Sequence, residues 1–156
     1  MKRTLVLGAL AAAGTLLAGC LGHVGVPGGY TRQDLERQPE ARLAYPGATL
    51  LHEAGSEPVR GIEGQEYANF SAAFGTSATA AEVEAFYARE LPARGWQLAP
   101  EKNFGSTSET HAVTWRKGDL LFRLGIYKKN DVQVPRAYDA YTTAYTIDLL
   151  VSPPGK

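Results

Sequence analysis

Four stretches of the chain alternate apolar and polar residues with a period of two, and this pattern restricts the fold more than any other feature. They are residues 65–74, 110–117, 119–128 and 141–151. Because neighbouring side chains of a strand point to opposite faces, such alternation predicts strands with one buried face. Short consecutive strands joined by turns favour an antiparallel sheet.

Shorter strands are expected at residues 48–51 and 96–102, the second with Trp96 and Leu98 on one face. Residues 53–64 are rich in polar residues and glycine. We therefore expect a loop there, between the first two strands.

A hairpin is predicted around a two-residue Lys117-Gly118 turn. This register sets Arg116 opposite Asp119. It also gathers an apolar set on one face, and a slip by one residue would expose that set. The set comprises Val113, Trp115, Leu120, Phe122, Leu124 and Ile126.

One helix carries strong start and stop signals. Thr79 and Glu82 have the spacing of a capping box, and Gly95 suits the left-handed residue that ends a helix. Pro92 is expected to kink or loosen the last turn. An apolar stripe lies between these signals and consists of Val83, Phe86, Tyr87 and Leu91.

These elements predict an α+β fold. We expect a two-layer sandwich, in which one main helix (about residues 79–94) covers an antiparallel sheet of about five or six strands. The single domain is expected to span residues 43–152, followed by a tail at 153–156. Its length suffices for one hydrophobic core.

The first 19 residues have the organisation of a secretory signal peptide. Two basic residues precede a short apolar stretch, which is too short to be a transmembrane helix. Small residues follow at the expected cleavage point. The segment ends in Leu17-Ala18-Gly19-Cys20, which contains the only cysteine of the chain.

This ending resembles the lipobox of bacterial lipoproteins. The resemblance implies cleavage before Cys20 and a diacylglyceryl group on its sulfur. It places the protein at the cell membrane or outer membrane, lipid-anchored and facing away from the cytoplasm. We expect residues 20–42 to form a lipidated N-terminus and a flexible tether, because the first half is rich in glycine.

The charge of the chain excludes some partners. Removing residues 1–19 leaves 14 basic and 16 acidic residues, a net charge of −2. A weakly acidic domain without a basic cluster does not favour nucleic acid. The expected membrane contact is therefore the lipid on Cys20, with an envelope protein as a further candidate partner. We expect no cofactor.

A catalytic set is not evident. Ser106, Glu109 and His111 could be imagined as the cluster of an envelope hydrolase, but they fall in and beside a polar loop between strands. The chain has no Gly-x-Ser-x-Gly motif. We therefore expect a protein that is not an enzyme.

The histidines do not predict a metal site. His23, His52 and His111 lack the short spacing of zinc ligands. His52 and Glu53 could meet Glu109 and His111 only if their strands were neighbours. We expect these residues to be ordinary surface groups and predict no metal.

A long segment between two strong strands, residues 128–141, is the most suggestive part of the chain for binding. Loops of this length are often functional. Arg136, Tyr138 and Tyr141 are residue types enriched at binding hot spots. The alternative is a flexible hairpin loop whose tyrosines cover one edge of the sheet.

A second, looser resemblance covers residues 45–151. It links the chain to small secreted bacterial domains of unknown function, in which a helix ending in Gly-Trp leads into an antiparallel sheet. The matched residues are caps and core, so the resemblance implies a fold and no chemistry. They are Tyr45-Pro46-Gly47-Ala48, Phe86-Tyr87, Leu91 and Gly95-Trp96.

Two functions follow from these expectations. The first is a lipid-anchored envelope lipoprotein that acts without catalysis as a protein-binding or assembly module. The second is a small-ligand-binding lipoprotein with a pocket between helix and sheet, near Tyr87, Trp96 and Trp115. A packed core at these three residues would argue against that pocket, and a cavity of about 300 Å³ would support it.

Overall fold

The computed structural model describes residues 29–61, 64–99 and 108–152. The helices are α1 (Arg32–Glu36) and α2 (Ala80–Ala93), with 3₁₀ helices at Pro39–Arg42 and Arg136–Ala140. The strands are β1 (Thr49–Ser56), β2 (Val59–Gly61), β3 (Gly64–Glu66), β4 (Asn69–Thr76), β5 (Gln97–Leu98), β6 (Glu109–Lys117), β7 (Leu120–Tyr127) and β8 (Thr143–Val151).

Six strands form one antiparallel sheet in the order β1-β4-β8-β7-β6-β5, and β2 pairs with β3 separately. Helix α2 packs on one face of the large sheet, which we call the helix face. The opposite face, on which the segment after β7 packs, is called the loop face. The predicted α+β sandwich of one main helix and an antiparallel sheet is confirmed.

Both ends of α2 form as the sequence predicts. The Thr79 backbone N–H donates to the Glu82 carboxylate at 2.8 Å, and the Glu82 N–H donates to the Thr79 hydroxyl at 3.3 Å. At the other end Gly95 takes a φ of 83°. The N–H of Trp96 then bonds to the Leu91 carbonyl at 3.1 Å, which completes a Schellman motif and turns the chain toward the core.

The helix face is closed by aromatic and aliphatic side chains. The alternation of β4 directs Phe70, Ala72 and Phe74 into this core, as predicted. Strands β7 and β8 supply matching apolar positions, and α2 supplies its whole predicted stripe. The fully buried side chains include Val83, Tyr87, Leu91, Phe122, Tyr145, Ile147 and Leu149.

The β6–β7 hairpin has a different turn from the predicted one. Lys117 pairs with Leu120, so the two turn residues are Gly118 and Asp119, and Arg116 faces Leu121 instead of Asp119. Gly118 has a φ of 58°, which the first central position of a mirror-image turn requires. The pairing shifts by two residues, so the predicted apolar set still shares one face.

Two further expectations need correction. Residues 53–64 are not one loop, because β1 continues to Ser56 and β2 and β3 follow as a small hairpin. Trp96 is buried as expected, but Leu98 is 68 % exposed. The described strand here, β5, contains only Gln97 and Leu98. Trp96 therefore precedes the strand, and the expected shared face of Trp96 and Leu98 is not formed.

The packed part of the domain includes residues before 43, inside the segment predicted to be a tether. Thr31 caps α1, and both Leu35 and Ala41 are completely buried in the main core. Glu40 is also buried and lies 3.7 Å from the Lys117 ammonium group. A five-residue helix shows too short a stripe for sequence periodicity to reveal. The predicted signal peptide, Cys20 and the tail fall outside the described residues.

Candidate functional site

The segment that joins β7 to β8, residues 128–142 (loop 128–142), is folded against the sheet. Its first N–H, from Lys128, donates to the Ser108 carbonyl at 2.9 Å. The Asn130 N–H donates to the Asp139 carboxylate at 3.0 Å, which closes the loop on itself. Asn130 has a φ of 60°, a left-handed conformation that asparagine tolerates.

The three residues predicted to bind a partner have different surroundings. Tyr138 is 9 % exposed, and its ring lies 5.5 Å from that of Tyr127. The Tyr141 ring lies directly on Gly75, where any Cβ would overlap it. Arg136 is exposed. Two of the three therefore fix the loop to the sheet, and only Arg136 faces solvent.

A pocket of about 220 Å³ lies beside the loop, at the end of the sheet where β7 finishes and β8 begins. Its apolar lining comes from α2, β7, the loop and β8, namely Ala80, Ile126, Tyr127, Val134, Tyr138 and Ala144. Its polar lining consists of Thr110, Lys128, Lys129, Asp139, Thr142 and Thr143. The lining thus combines apolar side chains with hydroxyl and charged groups.

The two tyrosines of the pocket are neutral at physiological pH. Burial, with smaller contributions from the neighbouring Tyr138 and from the carboxylates of Asp148 and Glu109, raises the pKa of Tyr127 to about 12. Burial also raises the pKa of Tyr138. Both phenols therefore keep their protons and remain hydrogen-bond donors rather than phenolates.

A buried ion cluster lies on the loop face near this pocket. Arg123 bonds to Asp148 at 2.8 Å and to the carboxylate of Glu109. Asp148 also accepts a hydrogen bond from the Ser71 hydroxyl at 2.6 Å. Gly125 leaves room for Glu109, because a Cβ there would overlap that carboxylate.

The ion cluster is structural in its chemistry. Burial alone would lower the pKa of Arg123, but the bonds and charges of Glu109 and Asp148 outweigh burial and raise it. The guanidinium therefore stays charged between its two partners. Neither Arg123 nor Asp148 was predicted as a functional residue, although each is the only charged residue of its strand.

The imagined hydrolase cluster is not assembled by the described residues. Glu109 is engaged with Arg123, and His111 is exposed on β6. Ser106 lies outside the described residues.

The imagined metal site is not assembled either. His52 on β1 and His111 on β6 are separated by three strands, a distance of about 19 Å at ordinary strand spacing. Glu53 instead pairs with Arg42. Within residues 29–61, 64–99 and 108–152 no group of three metal-ligating side chains occurs. His23 lies outside these ranges.

The pocket expected between helix and sheet is replaced by packed rings. Tyr87, Trp96 and Trp115 all contact Phe122, at centroid distances of 5.6, 5.8 and 6.2 Å. All four rings are buried. The cavity described above lies elsewhere, because loop 128–142 arches over the end of the sheet.

Among the described helices, none combines the length and the apolar character needed to cross a membrane.

The chain is similar to a START domain-like family over residues 59–135. The match covers 77 residues, just under half of the chain, and runs from β2 through α2 and β7 into loop 128–142. No curated protein and no solved structure shows a significant match. The similarity therefore concerns the central part of the domain, which includes most of the pocket lining.

Proposed function

We propose that this protein is a lipid-anchored, non-catalytic domain that binds a small ligand in the pocket beside loop 128–142. The observation that carries the proposal is the pocket itself, whose lining combines apolar side chains with a few polar and charged groups. This proposal takes the second of the two functions expected from the sequence, ligand binding, but moves the site from the packed core to the loop.

The family similarity supports the same function. START-like domains generally bind ligands rather than catalyse reactions. The matched range contains seven of the twelve residues that line the pocket, including Ala80, Tyr127 and Val134. The pocket is therefore largely a feature of the region that resembles this family.

Filling the pocket tests the proposal. Thr142 is exposed and lines the pocket, so Thr142→Trp should occupy it without disturbing the core. Saturation-transfer NMR with a panel of compact acids, amines and alcohols should detect binding to the wild-type protein and lose it in this variant. Thr49→Trp, at an exposed position of β1 outside the pocket, is the matched control. Equal binding to both variants would contradict the proposed site.

The anchor rests on the lipobox resemblance and has its own test. Cys20→Ala, or treatment of cells with globomycin, should leave unlipidated precursor and release the domain from membranes. Two acyl chains hold a protein stably at a bilayer. Without them, the protein should move from the membrane fraction to the soluble fraction. An unchanged membrane fraction without precursor would contradict the anchor.

A second candidate function is protein binding through the outer surface of loop 128–142. Val132 is 100 % exposed, which is unusual for a branched apolar residue, and Arg136 is exposed in the same loop. A photocrosslinking amino acid at position 132, used in cells, should then capture one defined envelope protein. The same amino acid at exposed position 49 serves as the control.

A further inference from the structure

We propose that the ligand of this pocket is a compact organic anion, namely a carboxylate with a short apolar tail. This inference rests on the proposed function, because it names the ligand class of the same site. It follows from three properties of the lining: the sign of its charges, the apolar surface beside them, and the available volume.

The charges around the pocket favour an anion. Lys128 and Lys129 both line it and are exposed, whereas Asp139 is its single acidic lining residue. The Asp139 carboxylate already accepts the Asn130 N–H within the loop. Among the described residues, no carboxylate lies within salt-bridge distance of Lys129. An ammonium group at this position can therefore pair with a carboxylate of a ligand.

The tail of the ligand would lie against the other part of the lining. Val134 and Ala144 belong to the small apolar cluster of the loop face, and the rings of Tyr127 and Tyr138 flank it. Aliphatic and aromatic groups both fit such a surface. The same pocket lining that includes the lysines therefore also offers apolar surface for a tail.

The volume limits the size of that tail. A pocket of about 220 Å³ is smaller than the 300–1,000 Å³ typical of drug-sized ligands. A short aliphatic acid or a single aromatic ring with a carboxylate suits a pocket of this size.

Two matched pairs of probes test the sign of the charge. Hexanoate and hexylamine share a tail, as do phenylacetate and phenethylamine, and each can be titrated into the full chain by NMR. Both acids should bind more tightly than the amines of the same tail, and binding should weaken with added salt. Comparing the hexyl and phenyl probes also shows whether the pocket prefers an aliphatic or an aromatic tail.

A charge substitution provides the second arm. Lys129→Gln should weaken hexanoate or phenylacetate binding about fivefold, because one exposed charge-assisted contact is lost. Hexylamine binding should not weaken in this variant. Arg60→Gln removes one exposed positive charge on β2, away from the pocket lining, and should leave all affinities unchanged.

The outcomes separate the two proposals. If amines bind as well as acids, and Thr142→Trp abolishes both, the pocket binds ligands but the anion inference is wrong. If no probe of either charge binds at millimolar concentration, the proposed ligand-binding function itself is contradicted, and this inference falls with it.

Discussion

The helix face and the loop face belong to the same strands but are stabilised by opposite kinds of side chain. On the helix face, three rings surround Phe122, and none of these four side chains is charged. On the loop face, Arg123 is buried between two carboxylates. Apolar burial stabilises in proportion to area, whereas a buried charge is tolerated only with its partners in place. The comparison indicates where the domain is robust and where it depends on particular pairs.

The largest effect is expected on the helix face. Phe122→Ala should lower the free energy of unfolding by about 4 kcal/mol, because it removes a completely buried ring and leaves a cavity among three others. Urea denaturation followed by tryptophan fluorescence measures this change. Leu98→Ala, at the exposed leucine of β5, should change stability by less than about 0.5 kcal/mol. Similar losses in the two variants would contradict the assigned core.

A smaller effect, of different origin, is expected on the loop face. Arg123→Met should cost about 3 kcal/mol, because Glu109 and Asp148 would then be left buried without their cation. Adding Glu109→Gln to this variant removes one of the unpaired charges and should restore part of the loss. If the second substitution destabilises the variant further, the ion cluster is not the cause.

A substitution at Gly125 tests how much of the stability of the loop face depends on space for the Glu109 side chain rather than on its charge. Gly125→Ala should cost about 2 kcal/mol, since its Cβ would overlap the carboxylate of Glu109. In a Glu109→Ala background the same substitution should cost much less. The difference between the two costs, measured as a double-mutant cycle, gives the coupling. Equal costs would mean that Glu109 does not occupy the space above Gly125.

The smallest effect concerns pH. The pKa of Tyr127 is raised from 10 to about 12, mainly by burial, so the folded protein holds this proton more tightly than the unfolded chain. The stability it contributes is complete below pH 10 and is lost as the pH rises toward 12. Because the side chain is only partly buried, the loss should be about 1 kcal/mol.

Tyr127→Phe is the appropriate comparison, because other tyrosines also titrate at high pH. Stability measured in urea at pH 9 and pH 11.5 should fall less in this variant than in the wild type. Parallel decreases in the two proteins would show that Tyr127 does not carry the effect.

Sequence periodicity predicted the helix face well, because its information is local. The alternation in β4 and the stripe of α2 each place their own residues, and neither requires knowledge of the partner element. The predicted hairpin register was wrong by two residues, which is an even number. Because side chains alternate between faces, such a shift leaves every apolar residue on its predicted face. Every predicted cross-strand pair of this hairpin was therefore wrong, but each apolar side chain stayed on its predicted face.

The pocket and the ion cluster could not be predicted in this way. Ala80 and Lys129 line one cavity although 49 positions separate them in the chain. Arg123 and Asp148 meet only because β7 and β8 are neighbours in this register. A charged residue in an apolar strand is a visible signal, but its partner depends on strand order. Tyr138 and Tyr141 were noticed for their residue type, which does not distinguish packing from binding.

The docking of α1 and the following 3₁₀ helix changes how far this domain could work from a membrane. A tether over residues 20–42 would have 22 chain links, whereas the first packed helix, α1, already begins at Arg32. If Cys20 carries the proposed lipid, the 12 links from Cys20 to Arg32 can span at most about 43 Å. The domain would then bind only ligands or partners that come close to the membrane surface.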